Sequence, residues 1–230
     1  MGVLTDPFEM GFKLVRERRY ADLARKLGSL AYERRIAVGL RRDLMGPSPS
    51  IKAKIPITVR EFQGSDLTAL LPESTHAMSR SERLEIEGRR RLHDASIPRC
   101  FVAVDDATGH PCYFQWLIGP KDNDRIQSFF PRGLFPILNS GTALLEAAYT
   151  PPHYRGKGIM PEAMARIAEH GRDIGCRSIV TFVEVHNVAS IKGCTRAGFV
   201  PYIKRTEHNL ALRLKRRWSF EPLPKGLGTV

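Results

Sequence analysis

The segment YRGKGIM, residues 154–160, constrains the fold of this 230-residue chain more than any other. It follows a stretch that predicts a strand, about residues 142–150, and it opens a stretch with helical periodicity over residues 159–174. Glycines at a helix entry let the backbone approach a ligand closely, and the unpaired N–H groups of the first turn form an anion site suited to a pyrophosphate. A tight turn between strand and helix would use the same glycines for structural reasons alone. The candidate binding residues of this glycine loop are Arg155, Gly156, Lys157, Gly158, Ile159 and Met160.

The elements around the glycine loop predict an α+β fold. Runs rich in β-branched and aromatic residues predict strands, and apolar residues at helical spacing predict helices. The strand after the loop's helix would complete one parallel crossover. The predicted strands are 55–62, 100–104, 112–118, 142–150, 178–184, 200–203 and 206–214. The predicted helices are 65–71, 79–95, 159–174 and 188–196.

The stretch GPSPS at residues 46–50 breaks any regular element, so we predict a linker over residues 46–54. This boundary separates an N-terminal extension, residues 1–45, from a main domain, residues 55–214, with a basic tail over residues 215–230. Within the extension, residues 15–30 have the spacing of a basic amphipathic helix, whereas residues 34–44 are ambiguous between strand and helix. The apolar face of that helix would pack on the main domain, on a second copy of the chain, or on a partner.

The net charge of +12 is concentrated at the two ends of the chain. Such a surface favours polyanions such as RNA, anionic lipid, an acidic carrier protein or a phosphorylated cofactor, although solvated Lys and Arg on helix faces would give the same count. No window is apolar enough to span a membrane, and the charged first twenty residues do not resemble a secretory signal. The four cysteines lack the spacing of a zinc site or a disulfide framework, which predicts no metal and reduced thiols in the cytoplasm.

A second motif follows the glycine loop at a fixed distance. Asn187 lies 29 positions after Gly158, and Ser190, Ile191 and the triplet AGF at 197–199 come next. This arrangement resembles the GNAT family of CoA-dependent N-acyltransferases over about residues 55–214. The family motif runs Arg or Gln, two residues, Gly, one residue, then Gly or Ala. Arg155 and Gly158 match it, and Met160 departs from its last position.

The resemblance implies a mixed, mostly antiparallel sheet flanked by helices, here with an N-terminal helical extension. It also implies acetyl-CoA or another acyl-CoA as cofactor. The pantetheine arm would pair with backbone in a splayed edge between the strand ending at Thr150 and the one ending at Glu184, and Asn187 would hold the arm by its side chain. The implied cofactor-binding residues beyond the glycine loop are Ala148, Tyr149, Thr150, Asn187 and Ser190.

Acyl transfer to an amine needs a base to take a proton and an acid to protonate the departing thiolate. Base candidates are Glu146, Glu184 and His186, and the two-residue strand period would put Glu146, Ala148 and Thr150 on one face. Glu146 could instead face solvent, and His186 could be an ordinary turn histidine. The family often has a tyrosine acid seven residues after the asparagine; that position is Cys194, which could act as the acid or pack as a small core residue.

The acceptor is not identified by the sequence and could be a small-molecule or a protein amine. Aromatic residues and the irregular stretch at 119–141 are candidates for lining its site. Two other functions fit as well: an inactive CoA-binding module, and an acyltransferase docked by its basic ends to a nucleic-acid or ribosomal partner. The aromatic candidates are Tyr113, Phe114, Trp116, Phe129, Phe130 and Phe135.

Overall fold

The computed structural model describes residues 32–71, 79–210 and 215–223. Its strands are β1 (Tyr32–Asp43), β2 (Ile57–Glu61), β3 (Cys100–Asp105), β4 (Pro111–Ile118), β5 (Thr142–Tyr149), β6 (Ser178–Glu184), β7 (Val200–Leu210) and β8 (Lys215–Pro222). Its α-helices within those residues are α1 (Asp66–Leu70), α2 (Arg80–Asp94), α3 (Asn123–Phe129), α4 (Ile159–Glu169) and α5 (Val188–Arg196).

The strands form one sheet in the order β2-β3-β4-β5-β6-β1-β7-β8. β5 and β6 pair in parallel, joined by α4, while β1 with β6 and the β2–β5 series pair antiparallel. Buried residues form two apolar clusters, one including Leu145 and the helix α4, the other including Leu144 and Ile86 of α2. The α+β class and the mixed, mostly antiparallel sheet with flanking helices are therefore confirmed. The predicted N-terminal helix lies outside the described residues.

The parallel pairing of β5 with β6 is short. It runs from Thr142 opposite Ser178 to Leu144 opposite Val180. Beyond this point β5 continues to pair with β4, and β6 with β1, up to their ends. The two strands thus diverge and leave backbone edges facing a gap, which is the splayed edge that the sequence predicts.

A β-bulge interrupts β5 at the start of this gap. Glu146 pairs with Trp116 and Tyr149 with Phe114, so three steps along β5 match only two along β4. Ala147, between the two pairs, has a φ of 57°. The extra residue shifts the alternation of faces, because Ala147 packs with the Leu144 cluster and Ala148 with the Leu145 cluster. The prediction that Glu146 and Ala148 share one face is therefore wrong.

Several predicted boundaries need correction. The ambiguous stretch at 34–44 is β1, which pairs with β6 from Ala37 to Asp43, so this part of the predicted extension belongs to the sheet. The predicted tail contains β8, and the predicted strands at 200–203 and 206–214 form a single strand through residue 210. Helix α4 ends at Glu169, earlier than residue 174, because a short 3₁₀ turn follows at Arg172–Ile174.

The chain divides into two compact units at other positions than those predicted. Among the described residues, one unit comprises 37–71, 79–204 and 221–223, and the other 32–36, 205–210 and 215–220. In the described part of the smaller unit, the Tyr32 hydroxyl lies 2.7 Å from Nδ1 of His208. Every element of the site described below belongs to the larger unit. None of the described helices combines the length and the apolar character needed to cross a bilayer.

Candidate active site

A cleft of about 910 Å³ opens where β5 and β6 diverge. The ends of both strands, the glycine loop, the starts of α4 and α5, and one face of α2 line it. The cleft brings together most of the predicted site residues, but neither Lys157 nor His186 is among its lining residues. The predicted residues that line it are Glu146, Ala148, Tyr149, Thr150, Arg155, Gly156, Gly158, Ile159, Met160, Asn187, Ser190 and Cys194.

The glycine loop turns into α4 through two left-handed residues. Gly156 has a φ of 76° and Gly158, the N-cap residue of α4, a φ of 74°. Other residues are strained in this conformation, so both positions require glycine. The N–H groups of the first turn, among them those of Ile159 and Met160, have no acceptor within the helix and lie at the positive end of its dipole. Anion binding by this helix end stays a prediction.

Residues 52–54, in the predicted linker, lie directly behind the glycine loop. The Lys54 N–H donates to the Lys157 carbonyl at 2.8 Å. The Ala53 N–H donates to the carboxylate of Glu162, a residue of α4 that is only 3% exposed. A Cβ at Gly158 would lie 3.6 Å from Cα of Ala53. The segment thus supports the loop from the side opposite the cleft.

Cationic side chains surround the loop. Arg155 is exposed and its Nε donates to the Thr150 carbonyl at 3.1 Å, which joins the loop to the end of β5. The Lys157 ammonium lies 4.8 Å from the centre of the Tyr154 ring. Lys192 and Arg196, one turn apart on α5, are exposed and also line the cleft. These charges favour a polyphosphate at this end of the cleft.

Met160, the departure from the family motif, packs against α5. A Cβ added at Gly193 would lie 3.0 Å from Sδ of Met160, closer than such contacts normally come. The absence of a side chain at position 193 therefore makes room for the large side chain at position 160. The departure is matched by a neighbouring residue and does not close the cleft.

Asn187 caps α5 and carries a further hydrogen-bond donor. It is the N-cap of α5, where its Oδ1 accepts the N–H of Ser190 at 3.1 Å. The amide's NH₂ group is a separate donor that remains for a ligand in the cleft. The Asn187 side chain can therefore order the start of α5 and hold an amide-bearing arm at once.

Cys194 is buried, with 1% of its surface exposed. Burial raises the pKa of its thiol to about 12. A free thiol has a pKa of about 8.5, so Cys194 is a much weaker acid than a thiol in solvent. Its position in the Leu145 cluster supports the alternative, a packing residue.

The side of the cleft nearest α2, called here the acceptor side, carries charges of both signs. Glu146 of β5 lies there with Glu85 and Arg89 of α2. Tyr113 and Gln115 also line the cleft; the buried Tyr113 hydroxyl donates to Oε1 of Gln115 at 2.7 Å, and burial raises the pKa of Tyr113 well above its usual value. The Glu184 side chain lines the cleft from the end of β6.

His186 is exposed and follows β6 outside the lining residues, so the structure does not place this candidate base in the cleft. The aromatic candidates also need correction, because only Tyr113 lines the cleft. Phe114 and Trp116 are buried on the opposite face of β4. The remaining rings, Phe129, Phe130 and Phe135, pack edge to face in sequence, and Phe135 also contacts the Phe182 ring at a tilt.

Sequence reasoning missed Glu85, Arg89, Gln115, Lys192 and Arg196. Lys192 and Arg196 could have been predicted, because cations five and nine positions after Asn187 lie on one face of the same helix. The other three come from elements far from the motifs in the chain, and no local pattern marks them.

Comparison with known proteins agrees with this geometry. The acetyltransferase (GNAT) family profile matches residues 73–199. No curated protein matches the chain. Solved structures of similar fold include a GNAT acetyltransferase from Colwellia psychrerythraea, with 15% identity, a TM-score of 0.51 and coverage of 77% of this chain and 56% of that one.

Two further solved structures are similar to the chain. The glucosamine N-acetyltransferase region of a fungal multi-domain GH3 β-N-acetylglucosaminidase has 14% identity and a TM-score of 0.53, over 84% of this chain and 22% of that one. A GCN5-related N-acetyltransferase from Sphaerobacter thermophilus has 15% identity and a TM-score of 0.49, over 85% of this chain and 55% of that one. This chain thus spans about half the length of the bacterial structures. The profile match covers more than half of the sequence, and the chain belongs to the GNAT acetyltransferase family.

Proposed function

We propose that the protein transfers an acetyl or other short acyl group from acyl-CoA to a primary amine. The observation that carries this proposal is the glycine loop, whose two left-handed glycines open the N-terminus of α4 into the cleft between β5 and β6. A phosphate-binding helix end beside free strand edges suits a ligand that combines a pyrophosphate with an amide-bearing arm.

The residues present fit such a ligand. Arg155, Lys192 and Arg196 supply charge for the phosphates, and Asn187 supplies an amide donor for the arm. The edge of β5 beyond Leu144 supplies backbone groups, although the Ala148 and Thr150 carbonyls already accept bonds from arginines. A carbonyl oxygen can accept a second hydrogen bond, so those positions remain usable.

When bound, acyl-CoA supplies an activated thioester, whose C–S bond breaks as the acceptor nitrogen forms the amide bond. We propose Glu146 as the base that takes the proton lost by the nitrogen, because its carboxylate lies on the acceptor side of the cleft. Glu184 is the second candidate. Because Cys194 is too weak an acid, the departing thiolate would be protonated by solvent or would take up the proton that the amine released.

The test is acetyl-CoA turnover with a panel of primary amines, read as free CoA thiol and as the acetylated product by mass spectrometry. Formation of both in equal amounts supports the proposal. Binding of acetyl-CoA with no turnover on any small or protein amine would favour the inactive CoA-binding module. We also propose the cytoplasm as the site of the reaction, because free thiols such as the four cysteines persist there.

A further inference from the structure

A buried arginine lies on the acceptor side of the cleft and has no part in the chemistry described above. Arg89 of α2 has only 13% of its side chain exposed. Its Nε donates to the Ala147 carbonyl at 3.2 Å and its Nη2 to the Ala148 carbonyl at 2.8 Å. The guanidinium carbon also lies 4.9 Å from the centre of the Tyr149 ring.

These contacts fix the guanidinium at the β-bulge of β5. The bulge directs the two consecutive carbonyls so that one arginine reaches both, and the Tyr149 ring restricts the plane of the group. A guanidinium has five N–H donors. Two of them donate to the Ala147 and Ala148 carbonyls, and a third donates to the Glu85 carboxylate at 3.3 Å. The other two have no partner among the described residues.

The bond to Glu85 does not make Arg89 unavailable to a ligand. The Glu85 side chain is 57% exposed, so solvent screens its charge and the pair contributes little free energy. The strand carbonyls are neutral and do not offset the charge. A buried cation costs free energy unless an anion pairs with it closely, so a carboxylate from a ligand would be a favourable partner.

The acceptor side also carries negative charge, from Glu146 and Glu85, next to Arg89. Both signs at one end of a cleft complement a ligand that carries both signs. An amine that carries only positive charge would bind the carboxylates, but its charge would then lie close to the positive charge of the guanidinium. An amine with a carboxylate close to the nitrogen would use both.

We infer that the acceptor is an amine that also carries a carboxylate, as a free α-amino acid does, with Arg89 binding the carboxylate and Glu146 facing the nitrogen. This inference rests on the proposed function, since it names the acceptor of that reaction. The N–C bond to the acyl group forms, the C–S bond of acyl-CoA breaks, one amine proton leaves through Glu146, and the thiolate leaves as a thiol after taking up a proton.

The test uses pairs of amines that differ only in the carboxylate: phenylalanine and phenethylamine, histidine and histamine, serine and ethanolamine, lysine and cadaverine. Acetyl-CoA turnover is measured for each with the full chain. For at least one pair, the carboxylate-bearing member should have a kcat/KM at least tenfold higher than its partner. A preference for the amine without a carboxylate in every pair would overturn the inference.

Variants then show whether Arg89 causes the preference. Arg89→Gln should raise KM for the preferred amino acid at least tenfold more than it raises KM for the partner amine, so that the preference disappears. Arg89→Lys keeps the positive charge but lacks the planar guanidinium, so it should lose part of the preference for the amino acid. Arg91→Gln, an exposed arginine on the same helix outside the cleft, is the matched control and should keep it.

The outcomes separate this inference from the proposed function. If acetyl-CoA fails to raise the melting temperature and no amine reacts, the proposed function itself is wrong. If acetyl-CoA binds and other amines react but no amino acid does, only the inference is wrong. A preference that persists in Arg89→Gln, with the variant folded by thermal unfolding, would also overturn it; if that variant does not fold, Arg89→Lys and the wild-type ratios still decide.

Discussion

The backbone N–H of Ala53 donates a hydrogen bond to the Glu162 carboxylate, 2.5 Å away, although 109 residues separate the two in sequence. Arg166, one turn further along α4, donates to the same carboxylate and to the Ile57 carbonyl. Glu162 therefore joins the segment before β2 to the helix that begins at the glycine loop. Since Lys54 also bonds the Lys157 carbonyl, this segment fixes the loop that we propose binds the pyrophosphate.

We predict that Glu162→Ala weakens acetyl-CoA binding about tenfold. The change leaves the Ala53 N–H without its acceptor, which costs about 1–3 kcal/mol, and frees the back of the loop. Acetyl-pantetheine, which lacks the pyrophosphate, should bind the variant as it binds the wild type. Titration of both ligands checks this, with Glu162→Gln, which keeps an acceptor, as the milder control. Equal losses for the two ligands would indicate a general structural effect instead.

Gly158 allows a second test of the glycine loop. Acetyl-CoA at about a hundred times its dissociation constant should stabilise the wild type by about 2.7 kcal/mol, visible as a rise in melting temperature. Gly158→Glu should abolish that rise, because the new side chain would meet Ala53 behind the loop and Arg196 beside it, displacing the loop and offsetting the positive charge proposed to bind phosphate. Gly175 has nearly the same φ, 76°, and lies outside the cleft. Gly175→Glu should thus show the same strain but keep the response to acetyl-CoA.

The proposed base is tested by Glu146→Gln, which keeps the size of the side chain and removes its ability to accept the proton. We expect kcat to fall by about 10²–10⁴ with little change in acetyl-CoA affinity. Glu184→Gln, from the opposite wall of the cleft, is the matched comparison and should lose much less. The opposite ranking in steady-state kinetics would assign the base to Glu184.

Cys194 should contribute little to turnover. With its pKa raised to about 12, its thiol would give a proton only unfavourably to a departing thiolate whose own pKa is about 8.5. Cys194→Ala should therefore lower kcat less than tenfold and leave acetyl-CoA affinity intact. A loss of a hundredfold or more with unchanged affinity would restore Cys194 as the acid.

The same burial predicts a pH effect on stability. Because folding raises the pKa of the Cys194 thiol, its contribution is complete below about pH 8.5 and is lost as the pH rises towards about 12. The free energy of unfolding should thus fall less steeply above pH 8.5 in Cys194→Ala than in the wild type. Chemical denaturation at several pH values measures the difference.

The parts of the site that the sequence predicts are those with a local cause. A left-handed turn needs glycine at 156 and 158, and a helix start needs a cap such as Asn187, so both can be recognised from neighbouring residues. The bulge at Ala147 and the position of Arg89 depend on pairing between distant elements. An alanine carries no sign of a bulge, and an arginine on an amphipathic helix normally faces solvent.

β1 was ambiguous for a related reason. Its sequence ends in two arginines and an aspartate, which is unusual for a strand inside a sheet. Arg42 is nevertheless buried, because it bonds the Ala165 carbonyl and the side chains of Ser48 and Glu169. The charged partner, Glu169, lies 127 residues away, so the sequence pattern alone could not show that this arginine is satisfied.

We predict that deleting residues 1–45 prevents folding, since the deletion removes β1 from its pairing with β6 over Ala37–Asp43. A point variant separates this from any other effect of the deletion. Leu40 is fully buried opposite Thr181, and Leu40→Ala should destabilise the protein by about 2–5 kcal/mol. Arg41, its exposed neighbour on the same strand, is the control, and Arg41→Ala should change stability by less than about 0.5 kcal/mol. A stable, acetyl-CoA-binding deletion variant would show that β1 is dispensable.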